Sequence, residues 1–225
     1  MNESWLTLRR WYARKRAVQE PFAEFIRQPF PVFRCNFRDA EFVSLDIETT
    51  GLDASVDEML SVGWVVIRGG RVDLSSARSF LVRPDGGVGK SASVHGLTDT
   101  VVGAGHESGM ILDRIVADLT GRTLLVHHAG LDKMLLDRMC QQRYGVPLLI
   151  PYVDTLALEI RRQNRRHHIG ERKSLRLADL RTAYQLPRYD AHDCLVDAIA
   201  TAELLIAMVA HNGGAAATRL RDLVT

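Results

Sequence analysis

The chain has 225 residues, 46% of them hydrophobic and 25% charged, which fits one globular domain with a modest appendage and excludes a disordered or fibrous chain. No apolar run approaches the roughly 20 residues that a membrane span needs, and the N-terminal MNESWLTLRRWYARKR lacks the apolar stretch of a secretory signal; a cytoplasmic protein with no membrane partner is expected. The formal net charge of +2 hides two basic segments: residues 1–38 hold eight Lys or Arg against three acids (+5), residues 161–173 hold six against one (+5), and −8 is left for the remainder. 

An acidic body flanked by basic patches suits a polyanion guided toward a cation-binding cleft, the plainer alternative being solvated charge. Cys35, Cys140 and Cys194 lie far apart with no CxxC spacing, so they read as small buried hydrophobes instead of a disulfide frame or zinc site. In chain order, Trp5, Leu8, Trp11 and Tyr12 recur at near-helical spacing among arginines, and Pro29 with Pro31 ends any helix. Residues 1–38 are therefore expected as a basic helical extension, lying on the main domain or serving as a polymerase, clamp or nucleic-acid contact. Strands follow at Phe42–Glu48, Leu60–Arg68 and Arg71–Val82, the last two joined by the hairpin signal RGGR. GHESGMILDRIVADLTG reads as an amphipathic helix, TLLVHH as a short strand, and residues 129–144 as a helix. A strand-like piece starting at Pro151 passes into VDTLALEIRR, then come the basic loop, a helix near Leu175–Tyr184 and a long helix over about 191–209. Three antiparallel strands followed by alternating helices and strands imply a mixed α/β sheet with helices on its faces. Residues 212–225 are small and polar and are expected to form a loosely held tail.

The chemistry concentrates in three places. Asp46 and Glu48, in FVSLDIETTGL, stand at i and i+2 of a strand and so leave one face together. Two neighbouring carboxylates repel and are costly to bury unless a proton or cation intervenes, and a hard divalent metal is the economical solution; exposed edge-strand acids are the alternative. Thr49, Thr50 and Gly51 follow where the backbone must turn and can approach a ligand. Asp132, in LLVHHAGLDKMLL, falls in the first turn of a helix, where an acid can simply complement the helix dipole. In YDAHDCLVDAIATAELL, acids at a helix N-terminus account for Asp190 and Asp193, but not for Asp197 among Leu195, Val196, Ala198 and Ile199; His192 stands five positions before it.

Together these segments resemble the DEDDh 3′→5′ exonucleases, the family that includes the proofreading epsilon subunit of bacterial DNA polymerase III. LDIETTGL is similar to the first motif, VHHAGLD to the second and AHDCLVD to the third, in order, with SVHGLTD matching an intervening segment; the likeness spans about residues 41–210. It implies a ribonuclease H-like fold with a mixed five-stranded sheet, an exonuclease domain over 39–211 and a tail over 212–225. It also implies two divalent cations, Mg²⁺ or Mn²⁺. Asp46, Glu48 and Asp197 would hold one of them, Asp46 would bridge to the second with Asp132 beside it, and His192 would be the general base. Thr49, Thr50, Gly51 and Leu52 would grip the terminal nucleotide, with Leu52 wedged against the bases; His95 and His128 are further candidate contacts. The chain departs from many relatives in having His128 and Leu131 where they have Asn and Phe.

The expected activity is release of nucleoside 5′-monophosphates from the 3′ end of single-stranded DNA in proofreading or repair. RNA trimming is the runner-up and a non-catalytic binding module the third reading. Arg165 and Arg166 are expected to track the strand's phosphates. Because the sequence ends soon after the exonuclease-like region, a stand-alone nuclease, or one recruited through its N-terminal segment to a polymerase or repair partner, is expected over a replicative subunit.

Overall fold

The computed structural model describes residues 2–16, 19–84, 102–165, 174–190 and 193–225. Its helices are α1 (Glu3–Ala13), α2 (Phe22–Arg27), α3 (Ser108–Leu119), α4 (Asp132–Tyr144), α5 (Thr155–Arg165), α6 (Leu177–Ala183), α7 (Cys194–His211) and α8 (Leu220–Leu223). Its strands are β1 (Phe42–Thr49), β2 (Met59–Arg68), β3 (Arg71–Arg83), β4 (His106–Glu107), β5 (Thr123–Val126) and β6 (Tyr152–Asp154), in the sheet order β4-β3-β2-β1-β5-β6. The first three strands are antiparallel neighbours, and β5 and β6 run parallel to β1, as the alternation of strand and helix patterns predicts. Five strands were expected; the sixth, β4, is a two-residue edge piece that pairs with the end of β3 immediately before α3.

Strand alternation divides the core. Val43, Leu45 and Ile47 of β1 join Val62, Trp64 and Val66 of β2 against α3 and α4. Phe42 of β1, Val65 and Ile67 of β2 and Leu125 of β5 face the other way, where Ala202, Leu205 and Val209 of α7 cover them. Asp46 and Glu48 fall on this second face, at the end of the strand next to the start of α7. By length and composition α7 could cross a membrane, but half of it is buried inside the domain, as befits a core helix packed on a sheet.

Both chain ends are tied into this core. The N-terminal helix forms, yet the aromatic stripe is turned outward: Leu6, Arg10 and Ala13 are buried, whereas Trp5, Leu8, Trp11 and Tyr12 are 52–62% exposed. The reason is Arg10. Its guanidinium donates to the carbonyls of Leu149 (2.6 Å), Gln28 (2.7 Å) and Phe25, and lies 4.6 Å from the Phe25 ring, so it clamps α1 to α2 and to the approach of β6. The carboxyl-terminal residues are likewise not a loose tail. Leu220, Leu223 and Val224 are buried beside Phe33 and Phe37, and the Thr225 N–H donates to the Tyr152 carbonyl at 3.1 Å. A few well-placed apolar side chains dock a segment whose average composition suggested otherwise.

Candidate active site

Asp46, Glu48 and Asp197 can each bring one carboxylate oxygen to within 4.8 Å of the others. The first two arrive by local geometry, two residues apart on β1. Asp197 arrives on α7, whose first turn is fixed by its own cap and by two contacts with the strands beneath it. Asp193 caps the helix, accepting the N–H groups of Leu195 (2.9 Å) and Val196 (3.1 Å). Ser44, fully buried on β1, donates its hydroxyl to the Ala198 carbonyl at 2.7 Å. Gly63, opposite Asp46 in the β1–β2 ladder, lies directly beneath the first turn: a Cβ there would stand 2.3 Å from the Leu195 nitrogen and 2.5 Å from its Cα. The missing side chain lets helix backbone rest on strand backbone. The ladder slips between Glu48 and Thr49, an irregularity that ends the regular pairing just where the site begins.

Asp132 does not belong to the three-residue cluster but sits beside it, buried at the first residue of α4. Burial, then Asp154 and Glu48, pushes its carboxyl up to about 8, against the opposing hydrogen bond from the Ile47 N–H. Asp46 is driven well above the ordinary carboxylate range by burial and by Asp132, Asp197 and Glu48. Glu48 rises to about 7, from burial and then from Asp197 and Asp193. Burial and neighbouring negative charge thus raise the proton affinity of Asp46, Glu48 and Asp132, with Asp197 contributing its charge to the first two. Such a donor set fits a divalent cation: hard oxygen ligands, excess negative charge and close convergence are what Mg²⁺ or Mn²⁺ requires.

The loop after β1 is stiffened from within. Thr49 Oγ1 donates to the Gly51 carbonyl at 2.5 Å, Thr50 Oγ1 donates to Asp57 at 2.8 Å, and the Asp53 N–H donates to the other Asp57 oxygen at 2.8 Å. A Cβ at Gly51 would lie 2.5 Å from that carboxylate, so glycine admits the Asp57 brace. Arg138 of α4 donates to the carbonyls of Ser55 (2.7 Å) and Asp57, anchoring the loop on the domain. At its tip Leu52 is 90% exposed.

Of the remaining expected site residues, His128 and Arg165 fall among those described. His128 is exposed, with φ of 127°, in the turn leading to Asp132. Arg165 ends α5 and does not join the carboxylates. His192, His95 and Arg166 lie outside the described residues.

Two supporting residues escaped sequence reasoning. Asp154 is buried at the end of β6; its carboxylate accepts the N–H of Ala129 (2.9 Å) and those of Leu156 and Ala157 (2.9 and 3.3 Å), so one side chain caps α5 and holds the turn that delivers Asp132. An acid followed by Thr at the start of a helix was the available signal. His127 bridges Thr155 Oγ1 (2.7 Å) and the Leu175 carbonyl (3.0 Å). The carbonyl can only accept, which places the proton on Nε2, and burial holds the ring below its usual pKa. It is a neutral brace in this arrangement.

Comparison with known proteins gives the family and the fold. A family model described as Exonuclease matches residues 43–205. The PolC-type DNA polymerase III of Thermotoga maritima is 33% identical over 123 residues, 54% of this chain and 9% of that protein. The DNA polymerase III subunit epsilon of Treponema pallidum is 28% identical over 172 residues, 76% of this chain and 77% of that one. The chain therefore spans about a tenth of the PolC-type relatives it matches and most of the epsilon subunit. Among solved structures, E. coli exonuclease I in complex with single-stranded DNA superposes with a TM-score of 0.64 at 18% identity, covering 77% of this chain and 41% of that one. Cell-death related nuclease 4 gives 0.63 at 13%, covering 80% and 66%. Both share the fold.

Proposed function

Because this chain belongs to the exonuclease family, we propose that it is a 3′→5′ exonuclease of the DEDDh type that removes nucleoside 5′-monophosphates one at a time from the 3′ end of single-stranded DNA. The observation that carries the reading is the convergence of Asp46, Glu48 and Asp197 within 4.8 Å at a strand end, with buried Asp132 adjacent.

Asp46, Glu48 and Asp197 would hold one divalent cation, and Asp46 with Asp132 a second. Bound there, Mg²⁺ or Mn²⁺ supplies positive charge that makes water a competent nucleophile and offsets charge on the phosphodiester oxygens. The chain's own part is to fix the spacing of four carboxylates in a partly dry site, where burial alone favours their protonated forms and a cation would favour the ionised ones. That task falls to the Ser44, Gly63 and Asp193 contacts on α7 and to Asp154 behind Asp132. His192 is assigned as general base, taking the proton of the attacking water as the 3′ oxygen of the preceding nucleotide departs. Leu52, held out into solvent by a braced loop, is suited to lie against the terminal base, with Thr49, Thr50 and Gly51 around the sugar. A role in proofreading or repair follows if a partner docks on residues 1–38, where the exposed Trp5, Leu8, Trp11 and Tyr12 offer an apolar stripe.

The test is a time course on 5′-labelled DNA and RNA oligomers. With Mg²⁺ or Mn²⁺, DNA should shorten in single-nucleotide steps from the 3′ end, and EDTA should stop it. Faster degradation of RNA would replace the DNA assignment by RNA trimming, and absence of hydrolysis with either cation would overturn the proposal.

A further inference from the structure

A cleft of about 540 Å³ opens between α5, α6, the last turn of α7 and α8. Its α7 wall begins at Met208, eleven residues beyond Asp197, or about 17 Å along the helix, so it is separate from the carboxylate site. Four guanidinium groups line it, those of Arg161, Arg162, Arg165 and Arg221, against the carboxylates of Glu159 and Asp222. One pair cancels: Glu159 accepts both Arg162 nitrogens (2.8 and 2.9 Å) as well as Gln163 (3.1 Å) and the Tyr184 hydroxyl (2.9 Å). Asp222 accepts the Arg219 N–H at the start of α8 and stands 3.8 Å from Arg221, beyond hydrogen-bond reach. Arg161 directs its hydrogen bonds to the uncharged carbonyls of Leu223 and Val224 (3.3 and 3.2 Å). Arg165 has no ion pair among the described residues, and its repulsion adds to burial in holding Arg161 below the usual arginine range. Three guanidiniums therefore share one distant carboxylate across a concave surface.

We infer that this cleft is a second anion site that takes a nucleotide phosphate, either the diester of a strand whose 3′ end lies at the carboxylates or the monoester of a released nucleotide. Arginine forks supply charge and paired donors to phosphate oxygens. Leu158 and Met208 supply apolar wall for a sugar or base, and Asn212 an amide that can meet a base edge. Choosing a nucleotide over another phosphate ester rests on the exonuclease reading; the anion site itself rests on the arginines.

The test uses the full chain in EDTA, titrated by calorimetry with inorganic phosphate, with dAMP and with oligothymidylates of increasing length. The variants are Asp46→Asn and the double replacement Arg165→Glu, Arg221→Glu, with Arg165→Gln, Arg221→Gln as the milder pair should charge reversal impair folding. Asp46→Asn, which removes a charge that repels phosphate from the carboxylate site, should bind at least as tightly as wild type, and the arginine variants should bind at least tenfold more weakly. Affinity that grows with oligomer length, with a salt slope reduced in the variants, identifies a strand; equal affinity for dAMP and long oligomers identifies the free nucleotide. Unchanged affinities and salt slopes in the folded arginine variants, or no binding of any probe by wild type, overturn the inference. Hydrolysis with Mg²⁺ is assayed separately. A 3′ ladder alongside unaltered anion binding in the variants sinks this site alone, whereas anion binding that needs the arginines in a protein without hydrolysis sinks the exonuclease reading alone.

Discussion

Replacing Gly63 by alanine puts a methyl group 2.3 Å from the Leu195 nitrogen, 2.5 Å from its Cα and 2.6 Å from the Cys194 carbonyl carbon. Ordinary contact begins near 3.4 Å, so α7 must lift by roughly 1 Å (3.4 − 2.3) at its first turn. All three clashing atoms are backbone, so no side-chain rotation relieves the strain. Overpacking of this kind costs about 1–3 kcal/mol, equivalent to a fall in Tm of roughly 2–12 °C for a domain of this size. The larger effect is on function. Asp197 follows Leu195 by two residues and moves with the turn, opening the carboxylate cluster; a misplacement of about 1 Å costs on the order of 100-fold in rate. Rates on a 3′-labelled single strand, metal affinity by calorimetry and melting curves measure the three effects together. Gly103→Ala is the control, since nothing lies within 4 Å of the Cβ it would add. Wild-type rate, metal affinity and Tm in Gly63→Ala would refute the claim that this glycine seats the helix.

Asp46→Asn and Asp132→Asn should each lower the hydrolytic rate by at least 100-fold while the far-UV spectrum stays native, because each removes a carboxylate that would hold a cation and relieves, rather than adds, repulsion in the fold. Glu48 and Asp132 carry raised values of about 7 and about 8, so between the ordinary carboxylate pKa and those values the folded, metal-free protein holds protons that the unfolded chain has released. The stability they contribute is complete below about pH 4 and is lost as pH rises through 7 to 8. Melts in EDTA should show this fall, Asp132→Asn should reduce it, and Mn²⁺ should raise Tm more at pH 8 than at pH 5; equal slopes in wild type and Asp132→Asn would contradict the assignment. Arg10→Met should destabilise by about 2–4 kcal/mol, since it strands the carbonyls of Leu149, Phe25 and Gln28, and a denaturant titration with an unmoved midpoint would show that the clamp contributes nothing.

Most elements were legible because their signals are local. The β1 pattern, the RGGR hairpin and the apolar spacing of α3 each report short-range geometry, and the structure follows them within a few residues. Where the reading diverged, distant partners decided. The aromatic stripe of α1 is the stronger apolar signal, yet it faces solvent because Arg10, on the other side, finds three carbonyls from Phe25, Gln28 and Leu149. The polar carboxyl-terminal segment is held because Leu220, Leu223 and Val224 meet a pocket built from Phe33 and Phe37, nearly the full chain length away.

The candidate site divides along the same line. The amino-acid sequence alone determines that Asp46 and Glu48 share a face, since alternation along a strand is a property of the backbone. It also sets Asp190 and Asp193, acids at a helix N-terminus, apart from Asp197 among apolar neighbours, whereas the structure singles out Asp193 as the cap. That Asp197 comes within 4.8 Å of the strand pair is a tertiary outcome, set where α7 settles on Gly63 and bonds to Ser44. So are the placement of Asp154 behind Asp132 and the gathering of Arg161, Arg165 and Arg221 around one cleft. Those distances depend on how closely one backbone can approach another across the core, a quantity that close packing decides and that no local pattern of residues contains.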